Sequence, residues 1–425
     1  MEAENIVLRG GRVVCPASQT DLVTDVWIRD GKIAGIGEAA SGITGREIDC
    51  TGKIVAPGFT DLGAELCDPG VCWREDLSSG SEAAAAGGFT TVVASPKTDP
   101  VVDNPVAVAE TLSRARRVSG ARVEIAGALT VGLKGEAMSE LGLMSEAGAV
   151  AFSDGRLPMA NSGLLRRTLD YARPFGLPVM LRPGDTDLEG AGVMHEGMVS
   201  TQVGLRGIPA ASEEVGVGRA IAMARLTGAR IHLSQVTTEA AVTLIRSAKA
   251  QGIFITCGVP ARHLLLTDRL VDESVYDTAT RLLPPLRTDA DRSACVAAVM
   301  DGTIDCITAD HVPLTQLEKE VEFMHATPGA MGLETAFSAA FTALGDVGVT
   351  VRALAVGPAA VIGRQASIEV GSGADVVVFD PDAERVVSGP FRSKGLNEPL
   401  EGRTTQGRIH LTICNGCIIY GPQPG

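Results

Sequence analysis

The middle of the chain alternates short apolar segments with longer stretches rich in Ala, Glu and Arg, and this alternation limits the possible folds more than any other feature. Eight apolar segments are predicted strands: Lys53–Phe59, Thr90–Ala94, Val123–Ala128, Ala149–Ser153, Pro178–Leu181, Arg230–Leu233, Ile253–Cys257 and Ile304–Thr308. The predicted helices between them include Ser81–Gly87, Val106–Ser119, Gly163–Phe175, Glu213–Leu226 and Thr238–Gln251. Eight strands with helices between them predict an α/β fold and favour a (β/α)8 TIM barrel over an open sheet.

The two ends of the chain are instead rich in short β-type segments with tight turns. Asp30-Gly31 and Asn415-Gly416 each separate two apolar segments, a pattern typical of two-residue hairpins. Cys414 and Cys417 flank the second turn with a spacing that metal sites also use, but the adjoining strand-like residues favour the hairpin interpretation. We therefore predict a small β-sandwich domain from residues 1–55 together with 360–425, and a barrel domain over residues 56–359.

Charge and composition exclude several classes of function. Lys and Arg number 37 against 51 Asp and Glu, and the net charge of −14 argues against a nucleic-acid partner. No run of 18 apolar residues predicts a membrane span, and the acidic start of the sequence lacks the pattern of a secretory signal. Nine cysteines, an odd number, suit free thiols in a reducing cytoplasm.

Many segments of the sequence, in the same order along the chain, resemble the class I dihydroorotases of the amidohydrolase superfamily. They are Pro57–Gly70, Ala83–Thr91, Ala151–Gly155, His232–Thr238, His263–Thr267, Pro284–Arg287, Asp310–Pro313, Gly332–Thr335 and Ser393–Pro399. The likeness covers nearly the whole chain. It implies a TIM barrel with a β-domain from both ends, and a zinc site that hydrolyses or closes the dihydroorotate ring. In such a site the metal lowers the pKa of a bound water to about 7 and polarises the amide carbonyl.

The sequence departs from the family at the first barrel strand. The resemblance implies a His-x-His pair of metal ligands there, and the matching positions hold Gly63 and Glu65. The family's arginine for the substrate carboxylate is Cys67, and the asparagine for the same carboxylate is Lys97. Glycine offers no side chain to a metal, so the ligand pair is incomplete. The two substrate positions are altered as well.

The remaining ligand positions are altered as well. The strand 5 and strand 6 histidines of the family fall at Arg182 and Gln235, and strand 4 keeps only one acid, Asp154. Asp310 is the surviving position of the family's catalytic base. A guanidinium stays protonated and has no lone pair for a metal. We therefore predict no metal and no cofactor, and no confident catalytic residue beyond the position of Asp310.

Two interpretations of the remaining polar side chains stay open. His232 and His311 could form a new mononuclear metal site with acids and a thiol at the strand ends, namely Asp310, Asp154, Glu65 and Cys67. Alternatively, both histidines are buried, hydrogen-bonded framework residues, and Glu65 is a polar lid over the barrel. We expect Arg182 to replace the metal's charge by pairing with Asp154 or Asp310. The charged run 316–322 is predicted to be the solvated face of a helix.

These residues predict a cytoplasmic, dihydroorotase-like pseudoenzyme of pyrimidine biosynthesis. It most resembles the non-catalytic dihydroorotase homologues that accompany aspartate carbamoyltransferase, which implies the catalytic chain of that enzyme as a structural partner, with self-association also expected. The alternative is an active amidohydrolase that acts on a cyclic amide with an altered or mononuclear metal site. A third possibility is a small-molecule sensor that uses the former pocket.

Overall fold

A computed structural model of the protein describes residues 5–37 and 45–421. Its strands are β1 (Ile6–Cys15), β2 (Thr20–Arg29), β3 (Lys32–Ile36), β4 (Arg46–Asp49), β5 (Ile54–Pro57), β6 (Phe59–Ala64), β7 (Phe89–Ala94), β8 (Arg122–Gly127), β9 (Ala151–Ser153), β10 (Val179–Leu181), β11 (Met194–His195), β12 (Gly207–Ile208), β13 (Ile231–Leu233), β14 (Ile255–Pro260), β15 (Cys306–Thr308), β16 (Val376–Val386), β17 (Thr404–Cys414) and β18 (Cys417–Tyr420).

The α-helices are α1 (Leu77–Ala86), α2 (Pro105–Ala115), α3 (Leu141–Glu146), α4 (Ser162–Ala172), α5 (Thr186–Glu189), α6 (Met198–Val203), α7 (Ala211–Thr227), α8 (Glu239–Ala250), α9 (Arg269–Glu273), α10 (Asp289–Asp301), α11 (Gln316–Lys319), α12 (Ala336–Leu344), α13 (Val347–Val351) and α14 (Gly357–Val361). Several begin at a side chain that caps the first turn. Asn104 accepts a hydrogen bond from the Ala107 amide before α2, and Thr288 accepts one from the Asp291 amide before α10.

Eight parallel strands form the barrel in the order β6-β7-β8-β9-β10-β13-β14-β15, which confirms the predicted fold class. A buried carboxylate joins the first strand to the last. Asp61 on β6 accepts hydrogen bonds from the Thr308 hydroxyl at 3.0 Å and the Ala309 amide at 2.7 Å. Burial raises the pKa of Asp61, against these hydrogen bonds. The Asp61 side chain therefore links the first strand of the barrel to the last.

The first predicted strand, Lys53–Phe59, is wrong as a single element. The structure divides it into β5, which belongs to the end sheet, and β6, which begins the barrel. Gly58 lies between them, where a Cβ atom would come within 2.3 Å of the Thr90 side chain. The chain can pass from one sheet to the other at this point because glycine has no side chain.

The two ends of the chain build one sheet in the order β18-β17-β16-β5-β1-β2-β3, with β4 beside β1. One side of this sheet packs around its own aliphatic core, and the other packs on the barrel through aromatic rings. Phe379 lies 4.7 Å from Phe337 between ring centroids, and Phe337 lies 5.5 Å from Phe59. The two ends of the chain thus build an additional β-sheet, which a shared apolar layer joins to the barrel. The described residues form one sheet here rather than the two layers of the predicted β-sandwich.

Both predicted hairpin turns are confirmed. Asp30 and Gly31 have φ of 51° and 73°, and Asn415 and Gly416 have φ of 49° and 76°, as a type I′ turn requires. Cys414 lies opposite Cys417 across the second hairpin, and no disulfide joins them.

Among the described residues, none of the helices combines the length and apolar character that crossing a membrane requires.

Candidate functional site

The C-terminal ends of the barrel strands surround a small cavity, at the place where barrel enzymes carry their sites. Gly63 and Glu65 line it from the first strand, Arg156 from the loop after β9, and Gln235 from the loop after β13. The space open to water-sized spheres is about 30 Å³. One water needs about 10–15 Å³ by this measure, whereas pockets for small molecules span about 300–1,000 Å³. The cavity therefore has room for a few waters at most.

Asp310, the surviving position of the family's base, is enclosed by hydrogen-bond donors. Arg262 donates from Nη1 to Oδ2 at 2.9 Å, and Arg156 donates from Nη1 to Oδ1 at 3.2 Å. The Gln235 amide also donates to Oδ1. The side chains of Asp310 and Arg262 are only 3% and 4% exposed. Two guanidinium groups therefore hold this carboxylate as an internal ion pair.

Arg156 and Arg262 were not predicted from the sequence. Arg156 lies two residues after Asp154, and its guanidinium extends across the mouth to donate to Asp310 and to the Leu283 carbonyl. Arg262 follows β14 and donates to the backbone carbonyls of Ala309 and Met331 as well as to Asp310. Each follows a predicted barrel strand within a few residues, so position was the available signal.

The predicted acceptor for Arg182 is wrong. Arg182 is buried, as expected, but its two terminal nitrogens donate to the carboxylate of Glu189 on α5, each at 2.8 Å. Its Nε donates to the Arg156 carbonyl at 2.6 Å. The short helix α5 follows β10 directly and brings Glu189 to the guanidinium, so neither Asp154 nor Asp310 is needed as a partner.

Asp154 lies apart from Asp310 and Arg182 in its interactions. Its carboxylate accepts from the Thr130 hydroxyl at 2.6 Å and from the Thr130 amide at 3.0 Å. Burial raises the pKa of Asp154, and these two hydrogen bonds oppose the shift. The carboxylate therefore fixes the loop after β8 to the end of β9.

The altered first strand is organised by a second ion pair. Lys97 donates to both oxygens of the buried Glu65 carboxylate, at 3.2 and 3.3 Å. Thus the residues at one ligand position and one substrate position of the family pair with each other. At the other altered ligand position, a Cβ atom on Gly63 would meet no atom within 4 Å. At the other altered substrate position, burial raises the pKa of the Cys67 thiol to about 12.

The two histidines near the strand ends make framework contacts. His311 Nε2 lies 3.2 Å from a Glu75 oxygen, and its Nδ1 accepts from the Gly332 amide at 3.1 Å, which places the hydrogen on Nε2. Ser393 donates to the same Glu75 carboxylate at 2.5 Å. His232 bonds the Thr256 hydroxyl, and burial lowers its pKa to about 3.

These donors do not fit the zinc site that the family implies. Within residues 5–37 and 45–421, no three His, Cys, Asp or Glu side chains are grouped so that they could hold a metal ion. The nitrogen groups nearest to Asp310 are guanidinium and amide donors, which offer a cation no lone pair. The alternative of a mononuclear metal site built on His232 and His311 is not supported either. His232 is hydrogen-bonded to Thr256 and His311 to Glu75.

The charged run 316–322 is a solvated helix face only in part. Helix α11 ends at Lys319, whose ammonium is buried and donates to the Thr278 carbonyl at 2.7 Å. Burial, followed by the charge of the nearby Arg281, lowers the pKa of Lys319 to about 7. The prediction failed for this residue because periodicity does not show where a long side chain reaches inward.

We expect the Arg182→Met variant to lose about 2–3 kcal/mol of unfolding free energy, since it removes hydrogen bonds to a largely buried carboxylate. Urea denaturation measures the loss. The matched control is Arg166→Met, because Arg166 pairs with Asp170 at 3.6 Å with both side chains more than half exposed. The control should cost below about 1 kcal/mol. Equal losses of unfolding free energy in the two variants would show that the buried Arg182–Glu189 pair stabilises the protein no more than an exposed pair does.

An eight-stranded parallel barrel joined to a sheet from both chain ends is the amidohydrolase fold. Solved structures share it at low identity: the L-hydantoinase (dihydropyrimidinase) of Arthrobacter aurescens superposes with a TM-score of 0.87 at 23% identity, covering 100% of this chain and 97% of that one. A D-hydantoinase from a Bacillus species superposes with a TM-score of 0.84 at 24% identity, covering 98% and 95%.

Relatives at higher identity define the family. A protein of Anaeromyxobacter dehalogenans named dihydroorotase is 44% identical over 423 residues, covering 98% of each chain. One of the same name from Pelotomaculum thermopropionicum is 43% identical over 422 residues, covering 97% of this chain and 98% of that one. The family profile described as dihydro-orotase-like matches residues 52–241. This chain belongs to the dihydroorotase-like family.

Proposed function

We propose that this chain is a non-catalytic member of the dihydroorotase-like family. The observation that carries the proposal is the state of Asp310, whose carboxylate is bound by Arg156, Arg262 and Gln235. A catalytic base must have a free oxygen within reach of the proton that it takes. Here the oxygens face two guanidinium groups instead, and the small cavity beside them supports the same view.

The groups that would hold a substrate also support this proposal. In the family, an arginine and an asparagine bind the substrate carboxylate, and here Cys67 and Lys97 occupy those positions. A thiol carries no positive charge, and burial raises the pKa of Cys67 to about 12, whereas Lys97 is engaged with Glu65. Neither side chain offers the free cationic fork that binds a carboxylate.

The role proposed for such a chain is structural. We propose that it assembles with the catalytic chain of aspartate carbamoyltransferase in the cytoplasm. The partner comes from the family resemblance alone, which is an analogy. The nine cysteines, all in the described part of the chain and none in a disulfide, support the compartment. The extensive barrel core and the Glu75–His311–Ser393 framework support a fold that is kept for its shape.

The first test measures metal content and turnover of the purified chain, assayed in both directions of the dihydroorotate reaction. Ordinary enzymes turn over at about 10 s⁻¹, and each lost transition-state contact costs about 10²–10³-fold. We expect turnover at least about 10⁴-fold lower and no stoichiometric metal. The dihydroorotase of Anaeromyxobacter dehalogenans, assayed in parallel, is the comparison. Turnover near 1 s⁻¹ with bound metal would establish the alternative, an active amidohydrolase with an altered site, which the 44% identity to that protein favours.

A single restored ligand should not create activity. The Gly63→His side chain begins in open space, so this variant should fold like the wild type. Arg182 and Gln235 still occupy two further ligand positions, so we expect neither zinc binding nor turnover. Activity in this variant would show that the pair around Asp310 does not block the chemistry.

The second test concerns the partner. Co-expressed transferase catalytic chain should co-elute with this chain in size exclusion, because a stable interface buries at least about 1,000 Å². Separate elution, with full transferase activity in the absence of this chain, would refute the structural role.

A further inference from the structure

Exposed apolar side chains gather on the loops that follow the C-terminal ends of the barrel strands. We call them the mouth patch, and they are Met198, Val275, Tyr276, Leu317, Val321 and Met324. Val275 and Leu317 are 80% and 86% exposed. Single exposed apolar residues are common, but a group of them marks a surface for interaction.

The mouth patch lies on three segments, which are residues 194–208 around α6, 269–280 around α9 and 316–325 around α11. Contacts between these segments hold the mouth patch together. The Tyr276 hydroxyl donates to the Val203 carbonyl of α6 at 3.2 Å, and its ring lies 6.4 Å from Phe323 between centroids. The Thr278 hydroxyl donates to the Lys319 carbonyl at 2.6 Å. Beneath them lies a separate apolar cluster that includes Phe323 and Val271. The mouth patch is therefore one packed unit with its own support.

The backbone at the centre of the mouth patch is strained. Val275 and Tyr276 have φ of 53° and 62° in succession, which is a rare conformation for a β-branched residue. Backbone hydrogen bonds from Val275 to Asp272 and from Tyr276 to Val271, each 3.0 Å, maintain it. Such strain persists where the surroundings impose it and is concentrated at functional surfaces. Its result here is a valine side chain held in solvent.

The charges around the mouth patch decide what it can bind. Six exposed carboxylates lie on the same three segments: Glu196, Asp272, Glu273, Asp277, Glu320 and Glu322. Exposed basic side chains on these segments are Arg206, Arg269 and His325. In the described part of the chain, Glu322 alone of the six carboxylates lies within ion-pair distance of a basic side chain, 3.8 Å from His325. A second copy that docked by the same face would bring like charges together.

We infer that the mouth patch is the docking surface for a protein whose contact face is apolar at the centre and rimmed by Lys and Arg. The inference rests on the proposed function, which supplies that protein as the transferase catalytic chain. Its binding there would cover the end of the barrel. An active barrel enzyme keeps this end open for substrate, whereas a chain whose cavity holds only a few waters has no such need.

The test measures affinity of the full-length chain for the transferase catalytic chain by biolayer interferometry. A Met198→Asp/Leu317→Asp variant should weaken binding at least about 10-fold, because charges enter the apolar centre. The matched control is Val23→Asp/Phe254→Asp, two similarly exposed apolar residues elsewhere on the surface. It should change affinity less than about 2-fold. Circular dichroism and Tm confirm that both variants fold.

A charge variant, Glu320→Lys/Glu322→Lys, separates the rim from the centre. It should slow association, and it should reduce the dependence of affinity on NaCl. If the wild type binds and the patch variants bind equally well, the inference is wrong and the proposed partner stands. If the wild type does not bind, the proposed partner is wrong and the inference falls with it. Self-association that the patch variants abolish would identify a second copy as the occupant and overturn the inference.

Discussion

The Arg262→Met variant is expected to lose about 3–5 kcal/mol of unfolding free energy, the largest effect of any single arginine in the barrel mouth. The guanidinium donates to Asp310 at 2.9 Å and to the carbonyls of Ala309 and Met331 at 2.8 and 3.1 Å. Its loss leaves a carboxylate that is 3% exposed without its main counter-charge. A broken buried pair is costly because the remaining charge stays desolvated.

Urea denaturation of two further variants makes this expectation specific. Arg246→Met is the matched control, since Arg246 pairs with Asp301 at 2.8 Å while both side chains are half exposed, and it should cost below about 1 kcal/mol. The double variant Arg262→Met/Asp310→Asn should lose less than Arg262→Met alone, because it removes the buried carboxylate charge. Arg156 then loses its carboxylate partner, but its side chain is more exposed than that of Asp310 and it keeps its hydrogen bond to the Leu283 carbonyl. A double variant as unstable as the single one would assign the loss to packing rather than to the ion pair.

Three buried imidazoles are expected to destabilise the protein below pH 6.5, contributing about 6 kcal/mol together at pH 5. The raised pKa values of buried carboxyls such as Asp61 and Asp154 offset part of this loss. Burial lowers the pKa of His232 and His263 to about 3 and that of His195 to about 4. The unfolded chain binds a proton on each near pH 6.5. Their contribution is therefore complete above pH 6.5 and is lost as the pH falls. Each imidazole accounts for about 2 kcal/mol at pH 5.

The contribution of one imidazole can be isolated by comparing denaturation at pH 7.5 and pH 5. The His232→Asn side chain can still bond the Thr256 hydroxyl, and this variant should lose about 2 kcal/mol less than the wild type over that interval. His325→Asn is the control, because the His325 side chain is 71% exposed and should leave the interval unchanged. If the wild type and His232→Asn lost the same unfolding free energy between pH 7.5 and pH 5, the expectation would be wrong.

The sequence predicted the elements of this fold better than it predicted the contacts of its charged side chains. Short apolar segments that alternate with helical stretches predicted the barrel strands, because such a pattern depends on neighbouring residues only. Asp30-Gly31 and Asn415-Gly416 predicted their hairpins because few other dipeptides adopt the required φ. The strand 53–59 was misplaced because one apolar segment served two sheets, and the break at Gly58 depends on Thr90, a residue far along the chain.

The sequence predicted which residues lie at the barrel mouth but not which side chains they pair with. Glu65 and Gln235 line the cavity at the barrel mouth, and Asp310 follows β15 and accepts a hydrogen bond from Gln235. Parallel strands bring their C-terminal ends together in this way. Arg182 was expected to pair with Asp154 or Asp310 and instead pairs with Glu189, seven residues further along. Long guanidinium side chains select partners by direction and reach in three dimensions, and sequence spacing contains little of that information.

The sheet contains strands from both ends of the described chain, so it can be completed only late in synthesis on the ribosome. Strand β5 pairs with β16, so Val55 finds its partner Val378 only after roughly 320 more residues have been made. At about 5–20 residues per second this takes roughly 15–60 s, during which one edge of β5 lacks its strand. The whole barrel emerges within that interval. Strands β16–β18 thus complete, late in synthesis, the sheet that β1–β5 began, and a nascent chain halted before β16 would carry a finished barrel beside an open sheet edge.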